Sequence, residues 1–226
     1  MIITSQKPLN EIFEMIESSN RLLIVGCDGC FQPPRSEREA EMISLMLSLK
    51  DRIDERKPSS FSSRVMTVMR QCDDRITATS IRPTLKNFDP DAILSLACGI
   101  GVQVIARLNP HLQVYPGQDT LFMGAELHEN GTYEEFCSGC GDCMLGYTGG
   151  VCPVTLCAKN LMNGPCGGTI DGKCEVGSYT RPCAWVEIWR KLKNAGRLDI
   201  FKKFRMPVDY RLSSAPRDVK KGQVYQ

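Results

Sequence analysis

A chain of 226 residues with 42% hydrophobic and 24% charged residues has an ordinary globular balance, which excludes a disordered or fibrous class and allows one domain or two small ones. The net charge of +2 conceals an uneven distribution: from Arg190 onward there are eleven Lys or Arg against three Asp or Glu, and the rest holds 17 basic and 23 acidic residues. The basic end carries no nucleic-acid recognition motif, so docking onto a partner protein is expected rather than nucleic-acid binding.

In chain order, Leu9 to Ile16 sets Leu9, Ile12, Phe13 and Ile16 on one helical face, and Leu22 to Val25 is a short buried strand ending at Gly26-Cys27. After a Pro33-Pro34 entry, Ser36 to Leu49 shows helical spacing through Met42, Leu45, Met46 and Leu49. Arg64 to Met69 reads as a strand that ends near Cys72, with a helix from Asp73. Asp91 to Ala97 is the next strand, stopping at Cys98-Gly99, and Ile100 to Leu108 the next helix. Leu112 to Tyr115 and Thr120 to Met123 follow as late strands. Such alternation predicts a parallel, Rossmann-like α/β sheet over residues 1–130. Ligands of these sheets sit at the carboxyl ends of the strands, where Cys27, Cys30, Cys72 and Cys98 all fall.

Composition changes at Asn130-Gly131, and residues 131–226 are expected to form a cysteine-rich, loop-dominated domain. The stretch from Phe136 to Cys183 is too poor in apolar runs to be held by burial alone. An amphipathic helix is predicted after Cys183, with Trp185, Ile188, Trp189 and Leu192 on one face, and then an extended tail from Arg205.

No stretch is apolar enough to span a bilayer, since the run from Ala92 to Ala106 is broken by Ser95, Gly99, Gly101 and Gln103. Glu11 and Glu14 stand where a signal peptide would be apolar, so a cytoplasmic protein without membrane insertion is expected. In a reducing compartment, clustered thiols bind metal more often than they form disulfides. With two histidines, His111 and His128, any site must be mostly or wholly thiolate.

The sharpest pattern is Cys137-x2-Cys140-x2-Cys143, followed after eight residues by Cys152-Pro153. Three cysteines at two-residue spacing plus a remote fourth is the arrangement that holds a cubane of four irons and four sulfides, and Gly139 and Gly141 permit the tight turns. Cys157, Cys166, Cys174 and Cys183 bring the region to eight thiols, the number two cubanes need. Structural zinc is the competing assignment at one site, because zinc also uses C-x2-C pairs and folds core-poor loops. Cys27, Cys30, Cys72 and Cys98 form a less regular set, which a third cluster would fill. Alternatively, Cys27 and Cys30 form a reactive thiol pair, which requires a helix start just after Cys30. Gly99-Ile-Gly101 lacks the third glycine of a dinucleotide loop, and there is no Ser/His/Asp set, phosphate loop or H-E-x-x-H motif.

Cys98-Gly-Ile-Gly-Val-Gln103, Cys137-Ser-Gly-Cys140-Gly-Asp-Cys143, Thr148-Gly-Gly-Val-Cys152-Pro153 and Asn163-Gly-Pro-Cys166-Gly-Gly168 follow in that order. Together with Gly172-Lys-Cys174-Glu175 and Cys183-Ala-Trp185, they resemble the MetV family, the cysteine-rich small subunits of methylenetetrahydrofolate reductases, a unit that also occurs as a C-terminal domain of related reductases. The resemblance runs from about Arg21 to Leu198. It implies a MetF-type large subunit, a flavin-bearing TIM barrel that binds the folate. The subunit resembled here would relay electrons from ferredoxin or another redox complex to that flavin, and the cysteine count is enough for two 4Fe-4S clusters or three. A zinc-binding adaptor that tethers the reductase to its donor is the alternative.

Overall fold

The computed structural model describes residues 1–33, 35–53, 61–129 and 131–219. Pro34 of the expected helix entry, Asn130 at the expected domain boundary and the last seven residues of the basic tail lie outside these. The chain divides into two compact units, Met1–Phe122 and Met123–Gln226.

In the first unit, a parallel sheet takes β2 (Arg21–Cys27), β4 (Ser62–Val68), β5 (Ala92–Ser95) and β6 (Gln113–Pro116) in the order β4-β2-β5-β6. Leu22 lies beside Ser63 on one side and Ala92 on the other, and the register runs on through Val25, Met66 and Ser95. Side chains alternate across the pleat, so β2 and β5 bury both faces and read as continuous apolar runs. One face packs Leu22, Ile24 and Leu94 against Ile12 and Ile16 of the α1 region (Leu9–Met15) and against Ala40, Ile43 and Leu47 of α2 (Glu37–Ile53). The opposite face packs Leu23, Val25 and Ile93 against Ile81 of α3 (Asp74–Phe88) and Ile105 of α4 (Gly99–Leu108).

Successive crossovers therefore use α2 on one face, then α3 and α4 on the other. The chain reverses its direction of travel across the sheet between β2 and β5. The expected alternation is present, with one departure on α2. Met42, Leu45, Met46 and Leu49 do share a helical face, but it is exposed, and the sheet is covered instead by Ala40, Ile43 and Leu47. Both stripes are apolar, and the small Ala40 allows the helix to sit close to the strands. Two short strands escape hydrophobic patterning: β1 (Ile2–Gln6) pairs in parallel with β3 (Phe31–Gln32).

In the second unit the later part of β7 (Gln118–Leu127) pairs antiparallel with β8 (Thr132–Cys137), from Leu127 opposite Thr132 to Gly124 opposite Glu135, and a register shift then sets Met123 opposite Cys137. The expected loop-dominated region thus begins on a hairpin whose second strand is largely exposed. Beyond it come the single turn α5 (Pro153–Leu156), α6 (Ala184–Asn194) and α7 (Leu198–Phe201). Trp185, Ile188 and Leu192 of α6 bury against Val151, as the periodicity predicts, and the Trp185 indole donates to the Leu161 carbonyl at 3.0 Å. Trp189 departs from that face: it is 40% exposed, with the Lys193 ammonium 4.7 Å from its ring centre.

The tail also departs from expectation. Through residue 217 it folds back within its unit instead of extending. The backbone N–H of Arg205 donates to the Asn163 side chain (2.7 Å), whose amide donates in return to the Arg205 carbonyl (2.8 Å). The Arg205 guanidinium pairs with Asp142 at 2.6 Å, and Arg217 donates to the Gly139 carbonyl at 3.0 Å. These contacts carry the basic segment across the Cys137–Cys143 loop and give its arginines specific acceptors.

Candidate metal centre

The carboxyl edge of the parallel sheet carries four thiols from three chain segments. Cys27 closes β2, Cys30 lies one turn on, Cys72 follows β4, and Cys98 takes the N-cap position of α4 just past β5. This is the point where the sheet's topology switches direction, the crevice in which open α/β sheets bind their ligands. Cys27 and Cys98 are buried, at 7% and 8% exposure, whereas Cys30 and Cys72 lie at the surface.

The four thiols are close enough to feel one another's charge. Burial is the main cause that pushes the Cys27 thiol above its ordinary value, and Cys98 and Cys72 add to it. The backbone N–H groups of Gln71 and Gly29 pull in the opposite direction by hydrogen bonding to the Cys27 sulfur. Cys72 is likewise raised, first by burial and then by Cys30, with Cys98 contributing. With their thiols pushed up chiefly by burial, Cys27 and Cys72 are poorly suited to nucleophilic attack, because the thiolate is the reactive form. A bound cation would favour the thiolate.

Gln71 builds this edge. It is fully buried in the turn that follows β4, and its amide donates to the carbonyls of Val25 (3.0 Å) and Gly26 (2.7 Å). Its side-chain oxygen accepts from the Ser95 hydroxyl at 2.7 Å, and its own carbonyl accepts from Thr77 at 3.0 Å. One side chain therefore ties the turn after β4 to the ends of β2 and β5. Sequence reasoning did not single it out. The available cue is only an uncharged polar residue directly before Cys72. Gly26 is needed here for close approach, since a Cβ would stand 2.9 Å from the Arg35 carbonyl oxygen. A reactive pair at Cys27 and Cys30 required a helix after Cys30; the chain enters β3 instead.

In the second unit the eight thiols fall on two neighbouring stretches. Cys137 ends β8, and its sulfur accepts from the Gly139 N–H at 3.4 Å. Gly139 and Gly141 take φ of +64° and +83°, the left-handed turns that let Cys137, Cys140 and Cys143 follow one another so tightly. α5 packs against β8, which brings Cys152, just before that helix, toward the same loop. Cys157 and Cys183 both pack on the Val151–Trp185 cluster.

Backbone pairing sets Cys183 beside Cys174. Cys183 N–H donates to the Gly172 carbonyl at 2.8 Å and Cys174 N–H to the Arg181 carbonyl at 2.9 Å, which sets these cysteines on adjacent antiparallel segments. Cys166 is tied to the neighbour of Cys174, with its sulfur 3.5 Å from Glu175 Oε1, a carboxylate also held by Lys159.

None of the twelve cysteines is in a disulfide. Among the described residues, no three His, Cys, Asp or Glu side chains are gathered into a ready-made ion site, and no helix is long and apolar enough to cross a membrane. The donor chemistry nonetheless fits thiolate-bound metal: soft ligands, N–H groups directed at sulfur, and turns that present successive thiols.

Residues 115–211 match the family described as methylene-tetrahydrofolate reductase C terminal, a stretch that includes all eight cysteines of the second unit. Comparison with curated proteins and with solved structures gave no match.

Proposed function

We propose that the chain is the iron–sulfur electron-transfer component of a methylenetetrahydrofolate reductase. The observation that carries this is the coincidence of the family match with the eight-cysteine stretch: the part of the chain that matches the reductase family is the part that carries eight closely spaced thiols. In this reading, Cys137, Cys140, Cys143 and Cys152, and then Cys157, Cys166, Cys174 and Cys183, are the ligands of two 4Fe-4S clusters. The strand-edge set of Cys27, Cys30, Cys72 and Cys98 is the ligand set of a third. Bound clusters of this kind supply one-electron storage and release.

The protein's own part is to hold the thiols and aim N–H groups at sulfur, as at Cys27 and Cys137. The folate and the flavin belong to a MetF-type partner subunit, and ferredoxin or another redox complex is the donor. The chain offers no acid–base apparatus of its own that would suit it to the folate chemistry.

Iron, acid-labile sulfide and zinc measured on anaerobically purified protein test the reading. About eight to twelve irons with matching sulfide are expected. Zinc in place of iron would overturn electron transfer and make the chain a tethering adaptor.

A further inference from the structure

α2 carries more apolar surface than its own sheet can cover. Its inner stripe, Ala40, Ile43 and Leu47, is buried, while Met42, Leu45, Met46, Leu49 and Ile53 are exposed by 46, 60, 37, 46 and 78%. At 1.5 Å per residue, this second stripe runs for ~16 Å along one helix. A contiguous apolar face of that kind on a folded protein marks an interaction surface.

The order of residues along the stripe identifies the occupant. A two-fold axis crossing the helix between positions 45 and 46 sets Met42 opposite Leu49 of a second copy, and Leu45 opposite its Met46. The four-residue apolar pattern is therefore its own antiparallel complement. Charge follows the same symmetry. In an antiparallel pair related by such an axis, equivalent flanks face each other with the ends reversed. Glu39 near the start and Lys50 near the end lie on the same flank of the stripe at helical spacing. The antiparallel arrangement brings Glu39 of each copy alongside Lys50 of the other, whereas a parallel arrangement would oppose like charges. The Lys50 ammonium already lies 3.7 Å from the Phe13 ring centre, so it is held at the flank of the stripe.

We infer that α2 is an isologous dimerisation helix, and that two copies of this chain pair antiparallel through Met42, Leu45, Met46 and Leu49. Such a contact is closed by its own symmetry and cannot propagate into filaments.

Sedimentation of the full anaerobic chain over a wide concentration range tests this. A monomer–dimer equilibrium is expected. L45D places two charges beside the two-fold axis and should raise the dimer dissociation constant by roughly 100-fold, with unchanged circular dichroism because Leu45 is not part of the core. K50E alone should weaken the dimer, and E39K/K50E should restore it, since the exchanged charges still meet across the axis. Glu39 Oε2 also accepts from the Ser36 N–H (3.1 Å), so the rescue is judged on association and not on melting temperature. A chain that stays monomeric at all concentrations, or a dimer untouched by L45D, overturns the proposal. So does a stripe that becomes protected only when a flavin-bearing subunit is added.

Discussion

Gln71 shows how much of the thiol-bearing sheet edge can rest on a single amide side chain. Both of its amide hydrogens and its side-chain oxygen are engaged with the ends of β2 and β5, all of them buried. Replacing it with Leu keeps the approximate volume but takes the amide partner from the Gly26 carbonyl and the acceptor from the Ser95 hydroxyl in an apolar interior, while the Val25 carbonyl keeps the Leu96 N–H at 2.9 Å. Unsatisfied buried polar groups are expensive, so Gln71→Leu should cost roughly 2–4 kcal/mol in denaturant unfolding. It should also accelerate alkylation of Cys72, whose backbone it steadies. A variant with wild-type stability and unchanged Cys72 reactivity would show that strand pairing alone positions the thiols. The neighbouring Asp73 repeats the economy at the next residue: its carboxylate accepts from the N–H groups of Arg75 and Ile76 and starts α3 directly after Cys72.

Among the elements, helices and central strands were legible because burial imposes a period. Leu22 to Val25 and Ala92 to Leu94 are apolar without interruption, as strands covered on both faces must be. Where burial does not set the pattern, the sequence was silent or ambiguous. β8, with its exposed Glu134 and Glu135, is paired through its backbone, and α2 has two apolar stripes of which periodicity cannot say which meets the sheet. The tail is the largest departure, because its order comes from arginines finding individual acceptors rather than from a stripe.

One of those contacts titrates. The Arg211 guanidinium, followed by its backbone N–H, holds the Asp209 carboxyl below its ordinary value of 3.8. With the folded pKa depressed, the stabilising contribution is complete above 3.8 and disappears as pH falls through the lower folded value. Amide exchange at Arg211, whose N–H donates to the Asp209 carboxylate, should therefore stay protected from neutral pH down to that range and lose protection below it, while Asp209→Ala should expose the same amide at neutral pH. Equal protection in the variant would mean that the turn is held by Leu212 lying against Gly141 instead.

At the scale of the whole molecule, the sequence made each cysteine visible but not its companions. Spacing assembles Cys137, Cys140 and Cys143 because two-residue intervals act locally, whereas Cys27, Cys72 and Cys98 meet only after three strands have been laid side by side. The topology supplies that second kind of proximity, at the switch point between β2 and β5. It also puts the two sets in different compact units, Met1–Phe122 and Met123–Gln226. Sites without shared ligands or contacts behave additively. If both units hold clusters, Cys98→Ser should remove about four irons and leave the spectroscopic signals of the second unit in place, and Cys140→Ser should remove about four others. The double variant should then lose about eight. Iron unchanged by Cys98→Ser would reduce the strand-edge thiols to packing residues and confine electron carriage to the second unit. Loss of all iron from either single change would show instead that the two units load their metal as one.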